Sequence, residues 1–527
     1  MPAPTVEASY RRRWLVLAVL CLSVLLVVVS NMALNVALPV LARQLHAGVS
    51  SLAWVVDSYV LCFAGLLLPA GAAGDRFGRK GTMQCGLAIF VIAALCGALS
   101  ATTWQLVAAR AAMGVGAALV MPGTLATLAS VFPPAERPKA VAIWASVAGG
   151  SVAIAITGSG VMLEHFWWGA VFLGMAAVAA VSLVSGWALL PTSRHPGDAR
   201  FDPLGALLSV AGVTGLLYGF IQAPDDGWAA PQILATFALG SIGLVCFVAW
   251  ERHRAHPMLD IRFFSERRLS MGSLSIAAAY FALFGMYFVF SQYLQLARGC
   301  SPLAAGLYAL PAGLAQFVVA GLARPLVARR GSRLLLSGGL GASSAGLLVL
   351  ASSTPSSPLW AVELGLGLLG VGVGLAMPSA TGAIMSSLPP HKAGVGSAVN
   401  DLAREFGGAF GIGVLGSLTL SVYRSRLAPV LSRAGGHAAA QAKAGLAQAL
   451  TSLGGAHSAD GLAARKAYSS ALDVAMVVGA ALVAAAAITV NFTLAATRRT
   501  PSPPGSSRSG LPELPSELAT SSSRARS

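Results

Sequence analysis

Gly71-Ala72-Ala73-Gly74-Asp75-Arg76-Phe77-Gly78-Arg79-Lys80 sets one acid and three bases between two apolar runs, each long enough to cross a bilayer. Only 10% of the chain is charged, so four charged residues within ten mark a built turn rather than a chance cluster. Glycine lets the backbone reverse sharply, and Asp75 is positioned to cap the helix that follows. Arg76, Arg79 and Lys80 hold the turn on the cytoplasmic side.

The composition agrees. The 527 residues are 56% hydrophobic, with a mean hydropathy of +0.73, whereas a soluble domain is about half apolar and roughly a quarter charged. This is a polytopic membrane protein. The net charge of +16, from 35 Lys and Arg against 19 Asp and Glu, would suggest nucleic acid in a soluble chain. Here the bases occupy alternate loops: Arg11 to Arg13, Arg137, Lys139, Arg252, Arg254, Arg329, Arg330 and Lys392 fall on one side, while the short loops opposite carry only Arg43 and Arg298. That bias puts both termini in the cytoplasm of a multi-pass cell-membrane protein, so the excess charge sets topology and no nucleic-acid partner is expected. Five of the six cysteines lie in apolar runs, Cys300 stands alone in an external loop, and no C-x-x-C occurs. No metal, cofactor or disulfide framework is expected. The run from Trp14 follows three arginines but is too long for a signal peptide, and it reads as a retained first helix.

Uncharged runs of about twenty residues predict fourteen spans, the first near 14–38 and the last near 470–497. The predicted class is an all-α polytopic membrane protein. It divides into a cytoplasmic N-terminus 1–13, a six-helix bundle 14–190, two inserted helices 204–250, a second six-helix bundle 271–497 and a tail 498–527. Residues 424–469 read as a solvated external loop with room for a surface helix. The proline- and serine-rich tail cannot bury enough apolar surface to fold.

An internal repeat ties the two bundles together. Residues 114–134, GVGAALVMPGTLATLASVFPP, and 370–390, GVGVGLAMPSATGAIMSSLPP, match at nine of 21 positions without a gap. They fall in the fourth and twelfth spans, which run in the same direction, so the repeat is parallel. Two like-oriented halves, each with a glycine-rich, proline-interrupted helix, is the build of a rocking transporter. A weaker echo sets Gly78-Arg79-Lys80 against Gly331-Ser332-Arg333.

Ionisable residues at membrane depth are costly and are site candidates by default. They are Asp57, Arg110, Glu363, Asp401, Arg404 and Glu405. Asp57, Arg110 and Glu363 share a depth of about six residues, or roughly 9 Å, from the external ends of their helices, and a meeting of Asp57 with Arg110 would hold the carboxylate ionised. Asp401, Arg404 and Glu405 approach one helix face and would titrate as a unit. The ninth span carries Tyr280, Phe281, Phe284, Tyr287, Phe288, Phe290, Gln292 and Tyr293. Such a wall suits a flat lipophilic solute or, equally, packing against lipid. A substrate cavity would draw on Asn31, Asn35, Tyr59, Phe284, Tyr287 and Gln292.

Several segments together are similar to signatures of the fourteen-helix drug:proton antiporter branch of the major facilitator superfamily. They are Asn35-Val36-Ala37-Leu38-Pro39, Trp54-Val55-Val56-Asp57-Ser58-Tyr59, Leu106-x-x-x-Arg110-x-x-Met113-Gly114-Val115-Gly116 and Asn400-Asp401-x-x-Arg404-Glu405-x-Gly407-Gly408. The Gly71–Lys80 turn resembles the loop after the second helix of that superfamily. The resemblance implies the major facilitator fold and a gate formed by Gly71, Asp75, Arg76, Gly78, Arg79 and Lys80. It also implies coupling to protons through Arg110, and export of a small-molecule drug or antibiotic. Three features depart from the pattern. Ser30 stands where many members carry an acid, Met113 replaces a glutamine, and Ala155-Ile156-Thr157-Gly158-Ser159-Gly160 lacks the proline and one glycine of the antiporter motif. The expectation is a monomeric, proton-coupled exporter of a hydrophobic or amphiphilic molecule. The rivals are a proton symporter that imports a metabolite, and a membrane sensor that transports nothing. No G-x-S-x-G, His-x-x-x-His or P-loop lysine supports an enzyme.

Overall fold

The computed structural model describes residues 12–45, 49–192, 202–254, 257–308, 310–352, 357–389, 392–433 and 435–496. Most of the expected N-terminal segment 1–13 and all of the expected tail 498–527 lie outside the described residues. The first half holds α1 (Arg13–Gln44), α2 (Val49–Phe77), α3 (Arg79–Ala98), α4 (Thr103–Val131), α5 (Arg137–His165) and α6 (Gly169–Leu189). Next come α7 (Pro203–Asp226) and α8 (Pro231–His253), then α9 (Arg267–Gln292), which ends in a π-turn at Tyr293–Ala297. The rest is α10 (Pro302–Tyr308), α11 (Leu310–Ala351), α12 (Leu359–Ser386), α13 (Ala393–Leu431), α14 (Gly436–Ala444), α15 (Leu446–Ser452) and α16 (Ala459–Ala496).

Thirteen segments among the described residues are long and apolar enough to cross a membrane, two of them in succession at Ala304–Ala323 and Pro325–Ala351. The count omits α5, some of whose side chains fall outside the description. Its 29 residues reach roughly 43 Å at 1.5 Å per residue, more than a bilayer's hydrocarbon thickness. With α5 included the number is the fourteen that the apolar runs predict.

The glycine repeat does the same job in both halves. A Cβ on Gly114 would press on the Tyr59 carbonyl of α2, and one on Gly116 on the Gly86 carbonyl of α3. In the second half Gly370 faces the Ala312 carbonyl before the bend of α11, and Gly372 faces the Gly339 carbonyl after it. α4 and α12 thus each wedge closely between two neighbours, which only a residue without a side chain permits. The echoed turn recurs too. Gly78 (φ 104°) and Gly331 (φ 80°) both take the left-handed conformation that favours glycine.

α1 packs on α5, and α2 and α3 on α4; α9 packs on α12 and α13, and α11 on α12 and α16. Across the middle, α2 and α4 meet α13, and α5 meets α11. The α7–α8 pair lies alongside, with α7 touching both α2 and α13.

The stretch read as a solvated loop, 424–469, is mostly helical. α13 continues through it to Leu431, α14 and α15 follow, and α16 begins at Ala459. Its alanines favour helix, and Ala442, Leu446, Ala449 and Leu453 are buried. The Tyr423 hydroxyl donates to the Ala442 carbonyl at 3.3 Å.

Candidate functional site

A small cavity of about 30 Å³ lies where the halves meet, lined by Asn31 and Met32 of α1, Phe63 of α2, Gly149 of α5, Tyr280 and Phe284 of α9, Gln316 of α11, and Arg404 and Glu405 of α13. It has room for a water, while sites for drug-sized molecules run to about 300 Å³ or more. A solute of that size requires the halves to part.

Beside it, α13 carries the ion cluster that the spacing predicts. Arg404 Nε donates to Glu405 Oε1 at 3.3 Å, and Arg404 Nη1 lies 3.9 Å from Asp401 Oδ1, an ion pair too long for a hydrogen bond. The Asn400 amide donates to Asp401 Oδ1 at 3.3 Å and accepts from the Thr381 hydroxyl at 2.8 Å. The guanidinium of Arg404 sits 5.7 Å from the Tyr280 ring centroid. Among the described residues, Arg404 Nη1 and Asp401 Oδ2 have no hydrogen-bond partner although both are buried. Two carboxylates and one guanidinium carry a net charge of −1 when fully ionised. An incompletely satisfied cluster of that kind responds strongly to a proton or a cation.

The first half holds Arg110, fully buried. Its Nε donates to the Val55 carbonyl at 3.1 Å, and Nη1 to the Ser30 carbonyl and hydroxyl at 3.1 and 3.0 Å. The guanidinium lies 4.2 Å over the Tyr59 ring, whose hydroxyl donates to the Val27 carbonyl at 3.0 Å. The pairing of Asp57 with Arg110 that a shared depth suggested is not formed. Arg110 points back toward α1, and Asp57 Oδ2 accepts from Gln222 of α7 at 3.2 Å. Ser30, the departure from the family pattern, thus supplies a neutral acceptor where an acid would have given Arg110 a counter-charge.

The predicted cap on α3 is also corrected. Gly78 stands at the N-cap of α3, which no side chain caps. Asp75 instead caps α13: the amides of Gly394 and Val395 donate to its two carboxylate oxygens at 2.9 and 3.1 Å. The first-turn amides of a helix lack intrahelical partners and favour an anion, which α13 draws from the other half. Arg79 braces this carboxylate with bonds of 3.2 and 3.0 Å and ties itself to the Ala126 carbonyl. Gly71 is where α2 and α13 touch, since a Cβ there would lie 2.7 Å from the Gly394 carbonyl. Lys80 donates to the Trp187 carbonyl at 2.7 Å, and Arg76 is exposed over the Phe77 ring.

Other predicted residues scatter. Asn31 and Phe284 line the cavity; Tyr59 lies beneath Arg110; Tyr287 and Gln292 sit farther along α9, off the wall. Asn35 belongs to α1, and its side chain is outside the description. Glu363 is exposed on α12 and takes no part in either cluster. The aromatics of α9 divide: Phe288 is 41% exposed, while Phe281 packs on Phe410. Sequence reasoning missed Gln316, whose amide adds no charge to an apolar run, and Lys392, read only as a topogenic base. Lys392 Nζ donates to the Pro257 and Met258 carbonyls at 2.6 and 3.2 Å, beside the Asp75 cap. Burial lowers its pKa, against the opposing pull of Asp75, Glu251 and Asp260.

Two glycine-packed half-bundles closing on a buried charged cavity define a membrane transporter. Residues 20–412 match the Major Facilitator Superfamily. The chain is 35% identical to the multidrug efflux pump LfrA of Mycolicibacterium smegmatis over 492 residues, covering 92% of this chain and 97% of that protein. It is 33% identical to the methyl viologen resistance protein SmvA of Salmonella typhimurium, over 77% of this chain and 82% of that protein. It is also 33% identical to the puromycin resistance protein pur8 of Streptomyces alboniger, over 79% and 84%. Among solved structures, the human organic anion transporter MFSD10 (TETRAN) superposes with a TM-score of 0.56 at 16% identity, over 89% of this chain and 99% of that one. The chain belongs to the major facilitator superfamily.

Proposed function

We propose that this protein exports a hydrophobic or amphiphilic small molecule, a drug or antibiotic, across the cell membrane in exchange for protons, working as a monomer with both termini in the cytoplasm. The observation that carries the reading is the Asp401–Arg404–Glu405 cluster set against the cavity walled by Tyr280 and Phe284. An aromatic wall takes up a lipophilic solute, and two carboxylates around one guanidinium load a proton at small cost in net charge. The relatives named for multidrug efflux and for puromycin and methyl viologen resistance support export over import.

In this scheme the Asp75 cap closes the cytoplasmic side. Breaking it lets the halves part inward and admits solute. A proton arriving from outside neutralises Asp401 or Glu405, loosens Arg404 and favours release. Asp57 and Arg110 complete the path in the first half, and exposed Glu363 has no part in it.

Everted membrane vesicles, energised by respiration and loaded with a pH-sensitive dye, test this against a panel of lipophilic compounds. The expected result is that ethidium or another panel member dissipates part of the proton gradient with the parent protein and none of it with Asp401→Asn. A parent-like signal from Asp401→Asn, or compound uptake that persists without a gradient, would refute proton coupling through this cluster.

A further inference from the structure

We propose that Gln222 of α7 is a positioning residue for the Asp57 carboxyl, which makes the inserted α7–α8 pair a working part of the proton path. The inference rests on the reading of Asp57 as a proton-coupling group. Asp57 is 8% exposed, and Gln222 Nε2 donates to its Oδ2 at 3.2 Å. An amide suits a site that changes protonation state. Its N–H donates to the carboxylate, and after a turn of the amide its carbonyl accepts the O–H of the acid.

The contact is delivered by a fitted surface. Thr214, Tyr218 and Gln222 share one face of α7 at four-residue spacing, and Trp54, Asp57, Leu61 and Gly65 share the opposing face of α2. Gly65 admits the Thr214 hydroxyl so closely that a Cβ would collide with it. The Trp54 and Tyr218 rings meet with centroids 6.0 Å apart, and Leu61 joins Val213 and Leu217 in a buried cluster. α7 is braced from behind on α13, where the Phe220 and Phe410 rings lie 5.2 Å apart, and in the turn between α7 and α8 Trp228 Nε1 donates to the Ser417 hydroxyl at 2.7 Å. At its far end Asp202 caps α7 through the Gly205 amide at 3.0 Å and accepts from Trp250 of α8 at 2.7 Å. Gln222 is therefore held from both ends of its helix, as an orienting group must be.

Infrared difference spectra of the full-length protein in lipid nanodiscs, taken between acid and alkaline pH, provide the test. The Asp57 acid carbonyl band is the one that Asp57→Asn removes. Gln222→Met keeps the side-chain volume without the amide and is expected to shift that band to higher wavenumber. Trp228→Phe, which breaks the Ser417 bond of the same helix pair, is expected to leave it in place. Gln222→Ala is read in the same way if Gln222→Met does not fold. A band unmoved in the Gln222 variants, or moved equally by Trp228→Phe, overturns the positioning role. If Asp57→Asn removes no band, Asp57 exchanges no proton, and the underlying reading falls along with this one.

Discussion

Arg110 and Arg404 are both buried at membrane depth, and each lies over a tyrosine ring, but their surroundings differ. Arg404 has a carboxylate on either side. Among the described residues Arg110 has none within ion-pair reach, only two carbonyls and the Ser30 hydroxyl. In the first half the arginine is a fixed cation whose charge is spread over dipoles. In the second it belongs to a group whose net charge changes with a single proton. The halves share a backbone plan, from the paired glycines of α4 and α12 to the turns at Gly78 and Gly331, so the chemical asymmetry arises from a few side chains on a common frame.

Arg404→Ala is the harshest way to probe the contrast. It leaves two buried carboxylates without their cation, and we expect a loss of about 3–5 kcal/mol, read as a lowered thermal midpoint in detergent, together with loss of transport. Arg110→Ala uncovers only neutral acceptors and is expected to cost about 1–3 kcal/mol in the same melt. An Arg110 variant as unstable as the Arg404 one would end the comparison. Ser30→Asp sharpens it, because the new carboxylate faces Arg110 Nη1. A double-mutant cycle between positions 30 and 110 should then return a coupling of about 1–2 kcal/mol, and a value near zero would mean that the acid is accommodated elsewhere. Glu363→Gln should change least, within about 0.5 kcal/mol of the parent and with unaltered transport, since its carboxylate is exposed on α12.

What the sequence disclosed follows from how far each signal reaches. Apolar runs are local, and they predict the spans. The Asp401, Arg404 and Glu405 spacing is internal to one helix, so their meeting needs no knowledge of any neighbour. Asp57 and Arg110 sit on different helices, where depth alone leaves the rotation about each axis open; Arg110 turned to Ser30 and Asp57 to Gln222. Capping is usually local, and from sequence Asp75 therefore points to the next helix. Its partner amides lie more than three hundred residues away, at Gly394 and Val395. Gln316 and Gln222 leave little trace in the sequence because an uncharged amide hardly disturbs an apolar run. In the 424–469 stretch, loop-like glycines masked a helical propensity carried by alanine.

The Asp75 anchorage and the charged triad occupy one unbroken helix, with Val395 and Asp401 six residues apart on α13. Each residue turns an α-helix by about 100°, so the phase between them is set by residue count alone. A single codon gained or lost inside that interval would keep the anchoring amides and the acids themselves, yet point the acids away from the cavity whenever the anchor was engaged. Lineages that carry this arrangement should therefore tolerate substitutions there far more readily than changes in length.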